Sequence, residues 1–363
     1  MFRFPLLFRG AGVRGRCFGR DENLLTSELD YELPESLIAQ KPASPRDSSR
    51  LMVVDAKEGS ISHHTFRYLP KFLAPGDALV LNETKVIPAR LEAKRPGGGA
   101  VELLFLRDLG GAGIGSWEAL ARPSKRMKPG MRLSAGDVEL EVGESIGDGR
   151  WEIKGDDILA TLHARGHMPL PPYIEATEEA EGLYQTVYAK TPGSAAAPTA
   201  GFHFTEGTLR DVRKAGAGVS YVTLHVGTGT FAPVRSEKLE EHRMHSEYYS
   251  VPEETARAVA GAERVIGVGT TVARTLESWA TSGKDEGESD IFIYPGYEWK
   301  VLDALVTNFH LPRSTLLALV MSFGGKELVK EAYAEAVREE YRFYSFGDAM
   351  LVLNGGRAGS RGG

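Results

Sequence analysis

The sequence predicts a larger α/β domain interrupted by an inserted small all-β domain. Three observations carry this. Apolar runs alternate with amphipathic ones on both sides of the insert, as in "LMVVD", "ALVLNET" and "RVIGVGTTVARTLESWA", the texture of buried strands flanked by helices. Between residues 89 and 165 the pattern changes to short alternating segments parted by Gly turns, the spacing of a small sandwich or barrel. The 363 residues suit two domains better than one.

Residues 1–28 stand apart. "MFRFPLLFRGAGVRGRCFGR" carries five arginines and no acid, and "FPLLF" is too short for a signal-peptide core. The segment is read as a disordered or over-long start outside the fold, with an Arg-rich targeting peptide as the other reading. The α/β domain is expected to occupy 29–88 and 166–353. "LDYELPESLIAQ" reads as helix-like, with Pro34 near its start. "LMVVD" and "ALVLNET" read as strands, the second ending at Asn82. The insert supplies "ARLEAKR", "AVELLFLRD", "SWEALARP", "MRLSAGDVELEVGES" and "RWEIKG". "ILATLHARG" resumes a helical pattern and "HMPLPPYI" reads as a stiff linker.

Beyond it, "GVSYVTLHV" reads as a strand and "PEETARAVAGA" as a helix. "RVIGVGTTVARTLESWA" is strand, turn and helix, with Thr270 or Thr271 as N-cap. "DIFIYPG" reads as a strand, "STLLALVMSFGG" and "KELVKEAYAEAVREEY" as helices, and "DAMLVL" as a closing strand. The loop "TSGKDEGESD" and the tail 354–363 read as disordered.

Composition bounds the function. Hydrophobic content of 42% and charged content of 25% are ordinary for a soluble globular chain. No apolar run approaches the roughly 20 residues of a membrane span. The single cysteine, Cys17, excludes a disulfide framework, a Cys-type zinc site and a cysteine-held iron–sulfur cluster, and fits a cytoplasmic protein. A net charge of −6 weighs against a non-specific DNA binder but leaves room for a local basic face.

Three histidines sit in apolar stretches beside turn residues and hydroxyls: His203 in "APTAGFHFT", His225 in "TLHVGTGTF" and His310 in "TNFHLPRST". One such histidine is more often a satisfied core group than a catalyst, but three suggest a constructed site. Around them stand Thr199 and Thr205, then Gly227, Thr228, Gly229 and Thr230, then Asn308, Arg313, Ser314 and Thr315. Asn82 ends a strand, where α/β ligand sites lie. The plain readings are turns and helix caps. "EHRMHSEYY" offers His242, His245 and Glu247, which would suit a metal-dependent hydrolase; a polar strand face fits the spacing better. "ARPSKRMKPGMR" is the densest basic stretch of the folded region, and Arg122, Lys125, Arg126 and Lys128 are its candidates for meeting phosphates. A non-catalytic RNA-binding protein would need that stretch alone.

Taken together, "DYELPESLIAQKPASPRDSSRLMVVD", "LVLNETKVIPARL", "RPSKRMKPG", "YQTVYAKTPGSAAAPTAGFHFT", "LHVGTGTFAPV", "MHSEYYSV", "VGTTVARTLES" and "TNFHLPRSTLLALVMSFGG" resemble the S-adenosylmethionine:tRNA ribosyltransferase-isomerase family of queuosine biosynthesis, from about Leu29 to Leu353. The resemblance implies that the insert is a small β-barrel. It implies transfer of the ribosyl part of S-adenosylmethionine onto 7-aminomethyl-7-deazaguanine at a tRNA wobble position. The products would be epoxyqueuosine in tRNA, adenine and methionine. S-adenosylmethionine would be a consumed substrate, with no bound cofactor and no metal, in a chain expected to act as a monomer. The sulfonium acidifies the ribose 5′ carbon, adenine leaves when protonated, and the acceptor amine must be neutral; groups titrating near neutrality suit these tasks. His225, His203, His310 and Glu247 are the candidates. The threonines would hold ribose or methionine groups, and Arg313 would pair with the methionine carboxylate.

Overall fold

The structure is a computed structural model that describes residues 24–110, 115–227, 234 and 236–353. The predicted N-terminal extension (all but its last five residues), the predicted tail, Cys17, Thr228, Gly229 and Thr230 lie outside the described residues. Strands β1 (Arg50–Asp55) and β2 (Ser60–Thr65) form an antiparallel pair. Strand β3 (Ala78–Asn82) is buried along its whole length, and β4 (Thr84–Val86) leads away from it. Six strands follow: β5 (Arg90–Lys94), β6 (Ala100–Asp108), β7 (Gly115–Arg122), β8 (Arg132–Ala135), β9 (Val138–Gly147) and β10 (Arg150–Gly155). They close into a barrel because β10 pairs with both β7 and β9. Alternate residues point inward, among them Leu91, Ala93, Leu103, Phe105, Trp117, Ala119, Leu140 and Ile153, giving the barrel its own core.

The chain returns through α1 (Ile158–Arg165), capped by Asp157, and α2 (Glu178–Leu183), capped by Thr177. Strand β11 (Thr191–Ser194) pairs in parallel with β4. Then come α3 (Glu206–Lys214), β12 (Gly218–Leu224), β13 (Glu247–Ser250), α4 (Glu253–Gly261), β14 (Val265–Val268), α5 (Thr270–Ser282) and β15 (Glu286–Ser289). Strand β16 (Ala304–Asn308), α6 (Thr315–Gly324), α7 (Lys326–Arg338) and β17 (Ala349–Leu353) complete the fold.

Among the described residues the large sheet has the order β15-β13-β12-β3-β14-β16-β17-β1-β2. Its centre, β12, β3, β14 and β16, runs parallel. Both faces are covered, so these strands read as continuous apolar runs. Val80, Val222, Leu305 and Val352 meet one core with residues of α4 to α7. Leu79, Leu81, Ile266, Val306 and Leu351 meet a second core with Phe66, Leu69 and Leu209.

The barrel joins the sheet by two adjacent segments. Arg90 and His167 exchange backbone hydrogen bonds of 3.1 and 2.8 Å. Gly166 lies so near the Pro88 carbonyl that a Cβ would overlap it. A second tie comes from Arg107 on β6, which pairs with Glu288 on β15 at 2.7 Å and with buried Glu118 on β7 at 3.2 Å.

Four expectations are corrected. Residues 29–40 are not helical beyond the short turns Thr26–Leu29 and Glu35–Leu37; the segment runs extended because Tyr31, Leu33, Leu37 and Ile38 pack against the core along it. "DIFIYPG" is not a strand; Ile293 and Tyr294 are buried from irregular chain. "TSGKDEGESD" instead finishes α5 and forms edge strand β15, whose Gly287 packs against the Tyr249 ring. Leu24 also belongs to the fold: it is buried, and its carbonyl accepts the Leu239 N–H at 2.9 Å.

Candidate active site

The carboxyl ends of the parallel strands open onto a cleft. Ligands of open α/β sheets bind at such ends. Val226 follows β12, Gly269, Thr270 and Thr271 follow β14, and Thr307 to Leu311 end and follow β16; all line the cleft. Thr199, Ala200, Ser314, Tyr344 and Ser345 complete much of the wall. Gly269 has φ +91° and no side chain with which to cap α5, so the first amides of that helix remain available at the cleft. Helix α6 begins there too, capped by the Ser314 hydroxyl, which accepts the Leu317 N–H at 3.2 Å.

Of the three histidines, His310 lines the cleft directly. Its Nε2 lies 2.8 Å from the Thr307 hydroxyl, and its N–H donates to the Tyr333 hydroxyl at 3.0 Å. The Tyr31 hydroxyl donates to its carbonyl. His225 precedes the cleft residue Val226. Its Nδ1 lies 2.8 Å from the Thr84 hydroxyl, and its ring stacks on Tyr248. Gly193 passes so close to its Nε2 that a side chain there would press on the ring. His203 ends the turn that begins at Thr199. It is buried, with Nδ1 2.8 Å from the Ser49 hydroxyl and its ring against Phe66. The Asn308 amide is near enough to favour its protonation, yet neither His203 Nε2 nor Asn308 Oδ1 makes a well-formed hydrogen bond.

Burial disfavours the charged form of all three rings. It lowers His203 to about 4, His310 to about 3, and His225 in the same direction. At neutral pH each is therefore a neutral imidazole, able to accept a proton and not already carrying one to give.

Other predicted site residues are held elsewhere. Arg313 is partly exposed and already paired with Asp30, at 2.6 Å, away from the cleft wall. Thr205 caps α3, accepting the Thr208 N–H at 3.1 Å, and lines a separate shallow hollow with Asp47. The Asn82 amide clamps Leu224, donating to its carbonyl at 3.0 Å and accepting its N–H at 3.1 Å, so its polar atoms are committed to holding β3 against β12. Glu247 is buried and ion-paired with Arg274, while its other oxygen accepts the Gly227 N–H at 2.8 Å. His242 packs on Phe292, and among the described residues no cluster of His, Cys, Asp and Glu is arranged to hold a metal. Thr315 begins α6 with a buried hydroxyl that has no partner among the described residues.

With this geometry, comparison with known proteins is informative. A sequence profile described as "Queuosine biosynthesis protein" matches residues 26–352. The chain belongs to that family. It is 72% identical to the S-adenosylmethionine:tRNA ribosyltransferase-isomerase of Rubrobacter xylanophilus over 92% of this chain and 99% of that one. A protein of the same name from Halothermothrix orenii is 50% identical over 90% of this chain and 99% of its own. The crystal structure of an S-adenosylmethionine tRNA ribosyltransferase from Thermotoga maritima is similar with a TM-score of 0.53 and 40% identity, covering 90% of this chain and all of that one.

Two further features of this queuosine-family chain bear on its site. Arg122, Lys125, Arg126 and Lys128 surround the turn Ser124–Arg126 at the end of β7, all exposed and none in an ion pair among the described residues. Arg274 went unnoticed in the sequence. It is a charge one turn inside a helix whose first ten residues are buried, and that conflict between charge and position was its signal.

Proposed function

We propose that the protein transfers and isomerises the ribosyl moiety of S-adenosylmethionine onto 7-aminomethyl-7-deazaguanine at the tRNA wobble position. The products are epoxyqueuosine-tRNA, adenine and methionine. The observation that carries this is the 72% identity, over 99% of its length, to a relative named for that reaction type. The cleft supports it chemically. A sulfonium-activated ribose needs a base at its 5′ carbon, and the acceptor amine must lose a proton. Burial holds His203 and His310 far below neutrality and makes them weak bases, so His225, at the edge of the cleft, is the ring better suited to accept a proton. A neutral imidazole that has just taken a proton in a poorly solvating site is also a strong acid, which suits protonation of departing adenine. S-adenosylmethionine is a consumed substrate in this reading; no bound cofactor or metal takes part, and activity should survive exhaustive chelation. The four exposed cations of the barrel meet tRNA phosphates. No helix among the described residues is long and apolar enough to cross a membrane. We assign the reaction to the cytoplasm and to a monomer.

The test is incubation with S-adenosylmethionine and tRNA bearing the aminomethyl-deazaguanine, followed by nucleoside mass spectrometry and assay of released adenine and methionine. Epoxyqueuosine with both products is expected. A methylated nucleoside with S-adenosylhomocysteine, or no change, would overturn the assignment.

A further inference from the structure

A buried cation, Arg274, lies one helical turn from the cleft residue Thr271. Arg274 is 2% exposed, and only Nη1 of its guanidinium is engaged, with Glu247. Its Nε and Nη2 are buried with no hydrogen-bond partner among the described residues. Buried donors without partners are rare, and a ligand absent from the structure is a standard cause. The position adds to the case. Arg274 lies three residues after Thr271 on α5, so the two occupy one helix face. Thr271 lines the cleft, and among the described residues its own buried hydroxyl also lacks a partner. The same cleft receives the uncapped amino end of α5 at Gly269 and Thr270. A guanidinium, a hydroxyl and free amides on one helix turn make a receptor for a planar anion. Glu247 does not cancel it. That carboxylate is shared between Nη1 and the Gly227 N–H, and it orients the guanidinium so that the Nε–Nη2 edge is left over. Arg313, the arginine whose motif suggested an anion partner, is already spent on Asp30.

We infer that Arg274, with Thr271 and the amino end of α5, binds the α-carboxylate of the amino-acid portion of the substrate. This rests on the reading above that S-adenosylmethionine is the donor, and specifies which group of it is held and by what.

The experiment compares two probes, S-adenosylmethionine and its decarboxylated form, which differ by the carboxylate. Each is titrated calorimetrically into the full chain without RNA. Wild type should bind S-adenosylmethionine at least about 10-fold more tightly, since only its carboxylate can accept charge-assisted hydrogen bonds from the guanidinium. Arg274→Met should lose that preference by weakening S-adenosylmethionine while leaving the decarboxylated probe within about two-fold; Arg274→Lys should lie between. Because Arg274→Met strands a buried carboxylate, the pair Glu247→Gln with Arg274→Met is made as well, with melting temperature as the fold control. Equal binding of both probes by wild type, equal weakening of both by the variants, or no binding of S-adenosylmethionine overturns the inference. Ribosyl transfer by wild type, run in parallel, separates the two levels: an active enzyme indifferent to the carboxylate sinks Arg274 alone, and an inactive one sinks the function.

Discussion

The Thr84 hydroxyl lies 2.8 Å from His225 Nδ1, so the strand that leaves β3 fixes the ring that leaves β12. The contact sets which face of the imidazole is free, and the close passage of Gly193 beneath Nε2 limits its tilt. If His225 carries a proton in the reaction, His225→Gln should cost about 10²–10⁴-fold in single-turnover ribosyl transfer. Thr84→Val, which keeps the shape but removes the orienting group, should cost on the order of 10–10²-fold. Both should keep a near wild-type melting temperature. Activity lost only in step with stability would mark the pair as packing.

Acid should destabilise the protein through its buried imidazoles. His203 titrates at about 4 in the fold, against roughly 6.5 in an unfolded chain. Between those values the unfolded state holds the proton and the native state does not. Stability is therefore unaffected above about pH 6.5 and falls as pH drops from there toward 4, by up to about 1.4 kcal/mol per pH unit for one such group. Urea midpoints of wild type and His203→Gln across this window should diverge, the variant giving the flatter slope. Parallel slopes would show that His203 is not kept neutral.

The barrel cations should govern affinity for tRNA and its salt dependence. Replacing Arg122, Lys125, Arg126 and Lys128 with Gln should weaken tRNA binding and flatten the plot of log K against log salt by up to roughly 0.7–0.9 per lost phosphate contact. S-adenosylmethionine affinity should be unchanged. Filter binding at several salt concentrations reads both, and an unaltered slope would move the RNA contact elsewhere.

The junction of barrel and sheet should tolerate no side chain at residue 166. A Cβ there would overlap the Pro88 and Leu162 carbonyl oxygens, so Gly166→Ala should cost about 1–3 kcal/mol. Gly182→Ala, in α2 with open space around it, is the control and should be neutral or slightly stabilising. Thermal melts that rank the two the other way would contradict the packing described.

The parts of the fold legible in the sequence are those where apolar period decides structure. β1, β3 and β12 are readable as continuous apolar runs bounded by polar residues, and α7 because its buried positions recur at three to four residues. Residues 29–40 misled because apolar residues at helical intervals can equally anchor an extended strap to a surface already built, as Tyr31 and Leu37 do. β15 was masked by its charges: an edge strand can expose Glu286 while Arg107, from the distant barrel, receives Glu288. The cleft itself was half legible. Turn residues marked the strand ends at Thr271, Asn308 and His310, but nothing local tells which donors of an arginine are already taken. Arg313 pairs with Asp30 and Arg274 with Glu247, partners far away in sequence.

The pairing of β1 with β17 bears on how the chain is made. Leu51 to Asp55 take Ala349 to Leu353 as parallel partners, so the first strand of the sheet has no neighbour on that side until the last has been synthesised. At about 5–20 residues per second, a ribosome leaves that edge open for on the order of tens of seconds. Meanwhile the barrel, whose strand partners all lie between Arg90 and Gly155, has its whole pairing set in hand. Local pairings close faster than distant ones. Biogenesis should therefore run from the inserted barrel outward, with β1 and β2 as the aggregation-sensitive element of the nascent chain and β17 as the strand that ends the risk.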